Sequence, residues 1–444
     1  MLYSNRDLKK LIIPLVVEQV LNSTIGTADT MMVANVGSAA ISGVSLVDSI
    51  NKLVICLFTA LATGGAIVCA QYIGRREQAN SNRAARQVLL SSVLLAVLIS
   101  AACLAFRKGI LRLIFGTVED SVMASAQAYF LITAFTYPAI ALFDAGSALY
   151  RATGNSRLPM RISLISNILN IAGNYVFLFI VPLGVTGAAI STLISYCFSA
   201  VVLVCFMGRP EQGLSPGKLR EFRAEPKMMW LVMSIGLPTG IENAMFQFGK
   251  LAVQSTVSTL GTTAIAANAL VVVLEFLSSM PSQAIGTGLM TVAGQCVGAG
   301  RMDEAKYYIQ KLTLWSFLVL AAADILVFAA APLTAKLSGM DAETSALVVR
   351  TMLTISIVKP FAWALAFVPA NGMRAAGDVR FGMLVSTISM WISRVALTIL
   401  LCRVLHIGLL GIWCGYFADW AVRSIAFTLR YRSGKWTQHE VIPT

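Results

Sequence analysis

The chain has 444 residues and a formal net charge of +13, with 57% hydrophobic and only 12% charged residues and a mean hydropathy of +0.76. Soluble chains carry charge on about a quarter of their residues, so this composition excludes an ordinary soluble domain and points to an integral membrane protein. Eight cysteines without a CxxC pair and two histidines give neither a disulfide framework nor a histidine metal centre.

Twelve apolar stretches succeed one another, near 11–34, 45–73, 87–106, 123–149, 159–181, 186–207, 228–257, 267–297, 312–331, 346–372, 381–404 and 408–429. Each is about 20 residues or longer, enough to cross a hydrocarbon core roughly 30 Å thick. The basic start RDLKK leads straight into the first span, which argues against a cleavable signal peptide. That span, IIPLVVEQVLNSTIGTADTMMV, contains Glu18 and Asp29. At about 100° per residue the two acids fall on one helix face, roughly 16 Å apart along the axis. Asn22, Ser23, Thr24, Thr27 and Thr30 surround Asp29, and no base is within helical reach. An acid so placed takes up a proton or binds a cation; the alternative is a helix-end acid tied to a neighbouring backbone.

In the second span Asp48 and Lys52 are spaced for a local pair. The fifth, SNILNIAGNYVF, sets Asn170 and Asn174 one turn apart, with Ser163 and Asn167 nearby, and Thr192 follows in the sixth. These side chains are candidate partners of Asp29, either as a hard-cation site of one acid and amide oxygens or as interhelical hydrogen bonds of about 0.6 kcal/mol each. A polar connector, GRPEQGLSPGKLREFRAEPK, occupies 208–227. In the seventh span Glu242 is followed by Asn243, Gln247, Lys250 and Gln254, and the eighth contains Glu275. Lys250 can neutralise either acid, so a structural ion pair and an ion-coupling site both stay open. Met31, Met280 and Trp363, with Gln247 and Glu275, are candidates for an adaptable greasy substrate cavity. Arg394, Asp419 and Arg423 are expected to lock the last two spans together.

Basic residues crowd alternate loops, including Arg75, Arg76, Arg83 and Arg86, while the other set holds only Arg107, Lys108, Arg112, Lys336 and Arg403. This bias predicts both termini in the cytoplasm and makes the positive charge an orientation signal rather than a nucleic-acid surface. The chain also repeats itself. Pro14 and Glu18 recur 224 positions later as Pro238 and Glu242, Gly37 as Gly261, Gln71 as Gln295, and YRATGN from Tyr150 returns as MRAAGD from Met373. The expected fold is an all-α integral membrane protein of twelve transmembrane helices in two six-helix lobes, 1–207 and 228–444, related by a pseudo-two-fold axis along the membrane normal. Without an ATP motif or a cofactor signature, such a body draws on an ion gradient or acts as a passive facilitator.

PLVVEQVLNSTIGTADTMMVANVG, AQYIGR with its counterpart GQCVGAGRMDEAK, LYRATGNSRLP, LGVTGAAIST, GLPTGIENAMFQFGK and RAAGDVRF together resemble multidrug and toxic compound extrusion (MATE) transporters. The resemblance spans essentially the whole chain. It implies a monomeric cell-membrane antiporter, not an enzyme, that exports small organic, often cationic compounds against H+ or Na+. It also implies that Asp29, Asn170 and Thr192 belong to an N-lobe cation site able to take Na+, and that Glu242 is the seventh-helix acid of one branch. Two departures stand out: the second acid of the N-lobe site is Asn174 here, and the tenth-helix acid is missing near Trp363. One protonatable Asp29 favours H+, although Glu18 could replace the lost charge. The rival readings are a flippase for a lipid-linked oligosaccharide, and a pore or structural membrane protein.

Overall fold

The computed structural model describes residues 1–116, 118–207, 214–217 and 222–442, without the side chains of Ile25 and Thr27. Half of the connector at 208–227, residues 208–213 and 218–221, thus lies outside the described residues, as does the side chain of Thr27. Among the described residues twelve long helices follow in order: α1 (Asn5–Ala34), α2 (Ser38–Gly74), α3 (Gln78–Phe115), α4 (Asp120–Ala152), α5 (Arg157–Ile180), α6 (Val185–Met207), α7 (Pro226–Val257), α8 (Thr262–Gly298), α9 (Met302–Leu337), α10 (Ala342–Ala375), α11 (Val379–Val404) and α12 (Leu409–Arg432). Among the described residues there is no strand. Ten of the helices are long and apolar enough to cross a membrane. The other two, α7 and α12, carry Glu242, Asn243, Gln247 and Lys250, and Asp419 and Arg423, so composition sets them apart from the twelve expected spans.

The chain divides into two compact units, Lys9–Gly240 and Met1–Leu8 with Ile241–Thr444. The boundaries fall inside α1 and α7 rather than in the connector. Contact explains the α7 boundary: a Cβ on Gly64 of α2 would stand 2.7 Å from Gly236 N and from Val232 O. Two glycines thereby let α2 and the first half of α7 meet backbone to backbone. The first residues are likewise tied to the second unit, where Tyr3 Oη donates to Gln295 Oε1 at 2.7 Å and Tyr308 Oη donates to Tyr3 O at 2.7 Å.

In the first unit α4 packs against α2, α3 and α6; in the second, α10 packs against α8, α9 and α12. Phe58, Phe130 and Tyr137 are fully buried in the first unit's core, while Leu98, Phe106 and Leu113 are exposed, as lipid-facing side chains are. The sequence repeat returns as repeated local geometry. α2 and α8 both begin after a positive-φ glycine, Gly37 or Gly261, and positive φ recurs at Gly154 and Gly377 and at Gly184 and Gly408. α5 and α11 both close in a π turn, at Val176–Ile180 and Leu400–Val404. At the ends of α2 and α8 the left-handed residue is Arg76 (φ 65) in one and Gly300 (φ 72) in the other. Both ends return the same pair of backbone bonds, Arg76 N to Ile73 O with Glu77 N to Tyr72 O, and Gly300 N to Val297 O with Arg301 N to Cys296 O.

Candidate functional site

A cavity of about 420 Å3 lies inside the first unit, walled by α1, α2, α4, α5 and α6. Four acids line it, Glu18, Asp29, Asp48 and Asp144, against two bases, Lys52 and Arg151. With every group ionised, the wall carries an excess of two negative charges, an arrangement that attracts cations. Asn22, Ser163, Asn167, Asn170, Asn174 and Thr192 also line it.

Asp29 sits in the last two turns of α1, opposite the α5 asparagines. Asn174 Nδ2 donates to Asp29 Oδ1 at 2.5 Å. The Asn170 amide nitrogen donates to Asp29 Oδ1 at 2.7 Å and lies 3.2 Å from Oδ2, so two carboxamides serve one carboxylate. Among the described residues no base forms an ion pair with Asp29. One turn and more away, Asn22 Oδ1 accepts from Ser163 Oγ at 2.9 Å and from Asn167 Nδ2 at 3.3 Å, closing a polar seam between α1 and α5.

Glu18 lines the same cavity in a different setting. It is 7% exposed and accepts from Arg151 Nη1 at 3.4 Å, while its Oε2 has no partner among the described residues. Glu242, its counterpart in the repeat, accepts from Arg374 Nη2 at 2.6 Å, and Arg374 is the counterpart of Arg151. The partner of Glu242 is therefore Arg374 and not Lys250. Eight residues along one helix place Lys250 about 12 Å away on the axis, and its ammonium stands 4.7 Å over the Phe246 ring.

Glu275 also pairs elsewhere than with Lys250. Lys359 Nζ of α10 lies 3.0 Å from Glu275 Oε1 and 3.5 Å from Asp324 Oδ1 of α9. Asp324 is a single acid in the apolar run AAADILVF, and an ionisable residue at membrane depth is itself the sequence signal by which it could be found. Asp419 accepts from Arg394 Nη2 at 2.5 Å and from Arg423 Nε at 2.8 Å, joining α11 to α12. Of the candidate substrate residues, Met31 is 66% exposed and Met280 is buried, and Trp363 stacks on Phe367 at 4.6 Å. None of Met31, Gln247, Glu275, Met280 and Trp363 lines the cavity around Asp29. Asp48 and Asp144 do, with Asn51 Nδ2 at 3.4 Å from Asp48 Oδ1 and Thr59 Oγ1 at 3.3 Å from Asp144 Oδ2.

The twelve helices, the twofold recurrence of their turns and the acid-lined cavity define a multi-pass membrane transporter. The MatE family profile matches twice, over residues 14–176 and 238–400, and the chain belongs to that family. The chain is 27% identical to a probable multidrug resistance protein NorM of Thermotoga maritima, over 98% of this chain and 94% of that protein. An uncharacterized transporter, YisQ, of Bacillus subtilis is 25% identical over 96% and 93%. In fold, the outward-facing structure of a multidrug resistance MATE family transporter of the MOP superfamily matches with a TM-score of 0.90 at 18% identity, covering 96% of this chain and 95% of that one.

Proposed function

We propose that this transporter is a secondary active exporter of small lipophilic organic cations, driven by protons that bind at Asp29. Two six-helix lobes, related by a pseudo-two-fold axis along the membrane normal, expose the cavity alternately to each side, and both termini lie in the cytoplasm. The chain works as a monomer without a cofactor. The carrying observation is Asp29 itself: a carboxylate in a membrane helix, held by the amides of Asn170 and Asn174, with no base paired to it among the described residues. Asn170 and Asn174 both donate to the Asp29 carboxylate, so uptake of a proton weakens these bonds and loosens the hold of α5 on α1. Substrate and proton need not touch the same atoms, provided each favours a different conformation. The multidrug resistance relatives support the substrate class, and the cavity's excess of acids supports cationic cargo. The same excess argues against a lipid-linked oligosaccharide, whose phosphates it would repel.

Proteoliposomes with a pH gradient and a sodium gradient imposed separately test the reading. Dye efflux is expected with an outward-acid pH gradient, and Asp29→Asn is expected to abolish it while leaving folded protein in the membrane. Efflux that follows sodium alone would replace the proton with Na+ at the same oxygens. Unchanged efflux in Asp29→Asn would remove Asp29 from the coupling.

A further inference from the structure

The buried charges of the second unit are not evenly partnered. Lys359 is fully buried, and its ammonium has three N–H donors. Each has a taker on α8: the Glu275 main-chain oxygen at 2.8 Å, Ser278 Oγ at 2.6 Å and Glu275 Oε1 at 3.0 Å. Asp324 is also fully buried, 3.5 Å from the same nitrogen, yet neither of its oxygens accepts a hydrogen bond among the described residues. The Ser278 hydroxyl donates to Glu275 O at 3.0 Å while standing within reach of the Asp324 carboxyl, so Asp324 has at most a share of one neutral donor. Glu275 receives a further donor, Ser279 Oγ, at 2.8 Å. One acid thus holds the lysine and the other is left nearly bare.

The surroundings close off other sources of charge. α9 packs against α8 and α10, which face Asp324 with Glu275, Ser278 and Lys359. Ser356 of α10 donates to the Asp324 main chain at 3.4 Å and not to its carboxyl. Arg394 of α11 and Tyr416 of α12 lie within electrostatic range of Glu275. The Arg394 guanidinium, however, is bound to Asp419 and lies 4.1 Å from the Tyr416 ring centroid, and Arg423 serves the same Asp419. A buried carboxylate with no more than that is not sustained as an anion.

We propose that Asp324 is a proton-binding site of its own, separate from Asp29, whose carboxyl carries its proton while Lys359 is held by Glu275. The proton comes from water and returns to water. Asp324 releases it when Lys359 turns from Glu275 to Asp324, and Lys359 stays an ammonium throughout. The cluster of Glu275, Lys359 and Asp324 therefore changes from neutral to one negative charge. A metal cation does not fit here, because the ammonium already occupies the cation's place.

Infrared spectroscopy of the purified protein tests this through the C=O stretch of protonated carboxyls, in an Asp29→Asn background that removes the first site. Asp324→Asn, which matches the protonated acid in shape, is expected to delete one such band at neutral pH. Glu275→Gln is expected to delete the same band, because the released Lys359 then pairs with an ionised Asp324; a merely structural acid would not respond to its neighbour in this way. A band unchanged in folded Asp324→Asn overturns the proposal, and so does a band that survives Glu275→Gln. Where Asp324→Asn fails to fold, Glu275→Gln decides alone, with 13C-aspartate labelling to assign the band. Failure of the Asp29 reading shows instead as undiminished efflux in Asp29→Asn and leaves these bands untouched.

Discussion

Asn174 stands where a second carboxylate would make the cavity a stronger cation site, and the 2.5 Å bond it gives Asp29 is the contact to alter. Asn174→Asp places two acids on one ion: the bond is lost, and a cation between the oxygens restores the balance. Efflux in the variant is expected to gain a dependence on sodium, read by comparing sodium and pH gradients in the same vesicles. Arg76 offers a test at a helix end. It holds a left-handed conformation, φ 65, where its counterpart is Gly300, and a side chain there costs about 1 kcal/mol that glycine does not. Arg76→Gly is expected to raise stability by about that amount in thermal unfolding of the detergent-solubilised protein. How far such residues were legible depends on where their partners lie. The seam of Asp29 with Asn170 and Asn174 shows in sequence because an unpaired acid and two amides at i,i+4 are local patterns. Glu242 invited Lys250 because a helical wheel shows only same-helix neighbours; the repeat matches Glu18 to Glu242 and Arg151 to Arg374 without saying that each Glu meets its Arg, which only the structure shows. Asp324 shows in sequence only by its presence in an apolar run, since its neighbours Glu275 and Lys359 lie on other helices.

Between helices, the twin clasps Glu18–Arg151 and Glu242–Arg374 each tie a proline-containing helix to the end of α4 or α10. Removing one partner of a buried pair leaves an uncompensated charge, so Arg151→Met is expected to cost about 3 kcal/mol, and Glu18→Gln in the same chain to recover most of it. A double-mutant cycle by chemical denaturation measures the recovery; additive losses would mean that the contact is incidental. The glycine contact of α2 with α7 is more severe. A Cβ on Gly64 meets Gly236 and Val232 backbone atoms at 2.7 Å, and backbone cannot yield as a flexible side chain can. Gly64→Leu is expected to lower the yield of monodisperse protein, with Gly109→Leu, where a Cβ meets nothing within 4 Å, as the tolerated control. The repeat paired Gly37 with Gly261, but helix ends were not placed by it: the apolar stretches start at 45 and 267, several residues inside α2 and α8, because the first, more polar turns of these helices lie outside the apolar run. The π turns were not legible, because VFLFI and LLCRV are plain apolar runs in which nothing distinguishes an extra residue per turn. The division inside α7 has no local mark either: only the closeness of Gly236 and Gly240 to Ala60 of α2 shows that they join the first unit.

For the molecule as a whole, orientation decides what the buried acids can do. α1 begins near the basic Arg6, Lys9 and Lys10 and carries Asp29 near its far end. If the basic loops are retained inside, the last turns of α1 and the Asn174 end of α5 would reach the outer leaflet, where the proposed inward proton flow would enter first. The reverse orientation would put Asp29 beside the cytoplasm, and the same chemistry would then drive import. Orientation and direction of transport therefore stand or fall together. Two single cysteines in a cysteine-free chain measure it: Ser338→Cys in the exposed turn between α9 and α10, and Gln78→Cys in the exposed start of α3. A membrane-impermeant maleimide is expected to label position 338 on intact cells and position 78 only after permeabilisation. Labelling of position 78 on intact cells would place Asp29 on the cytoplasmic side and exclude proton-driven export through it, whatever the chemistry of the cavity.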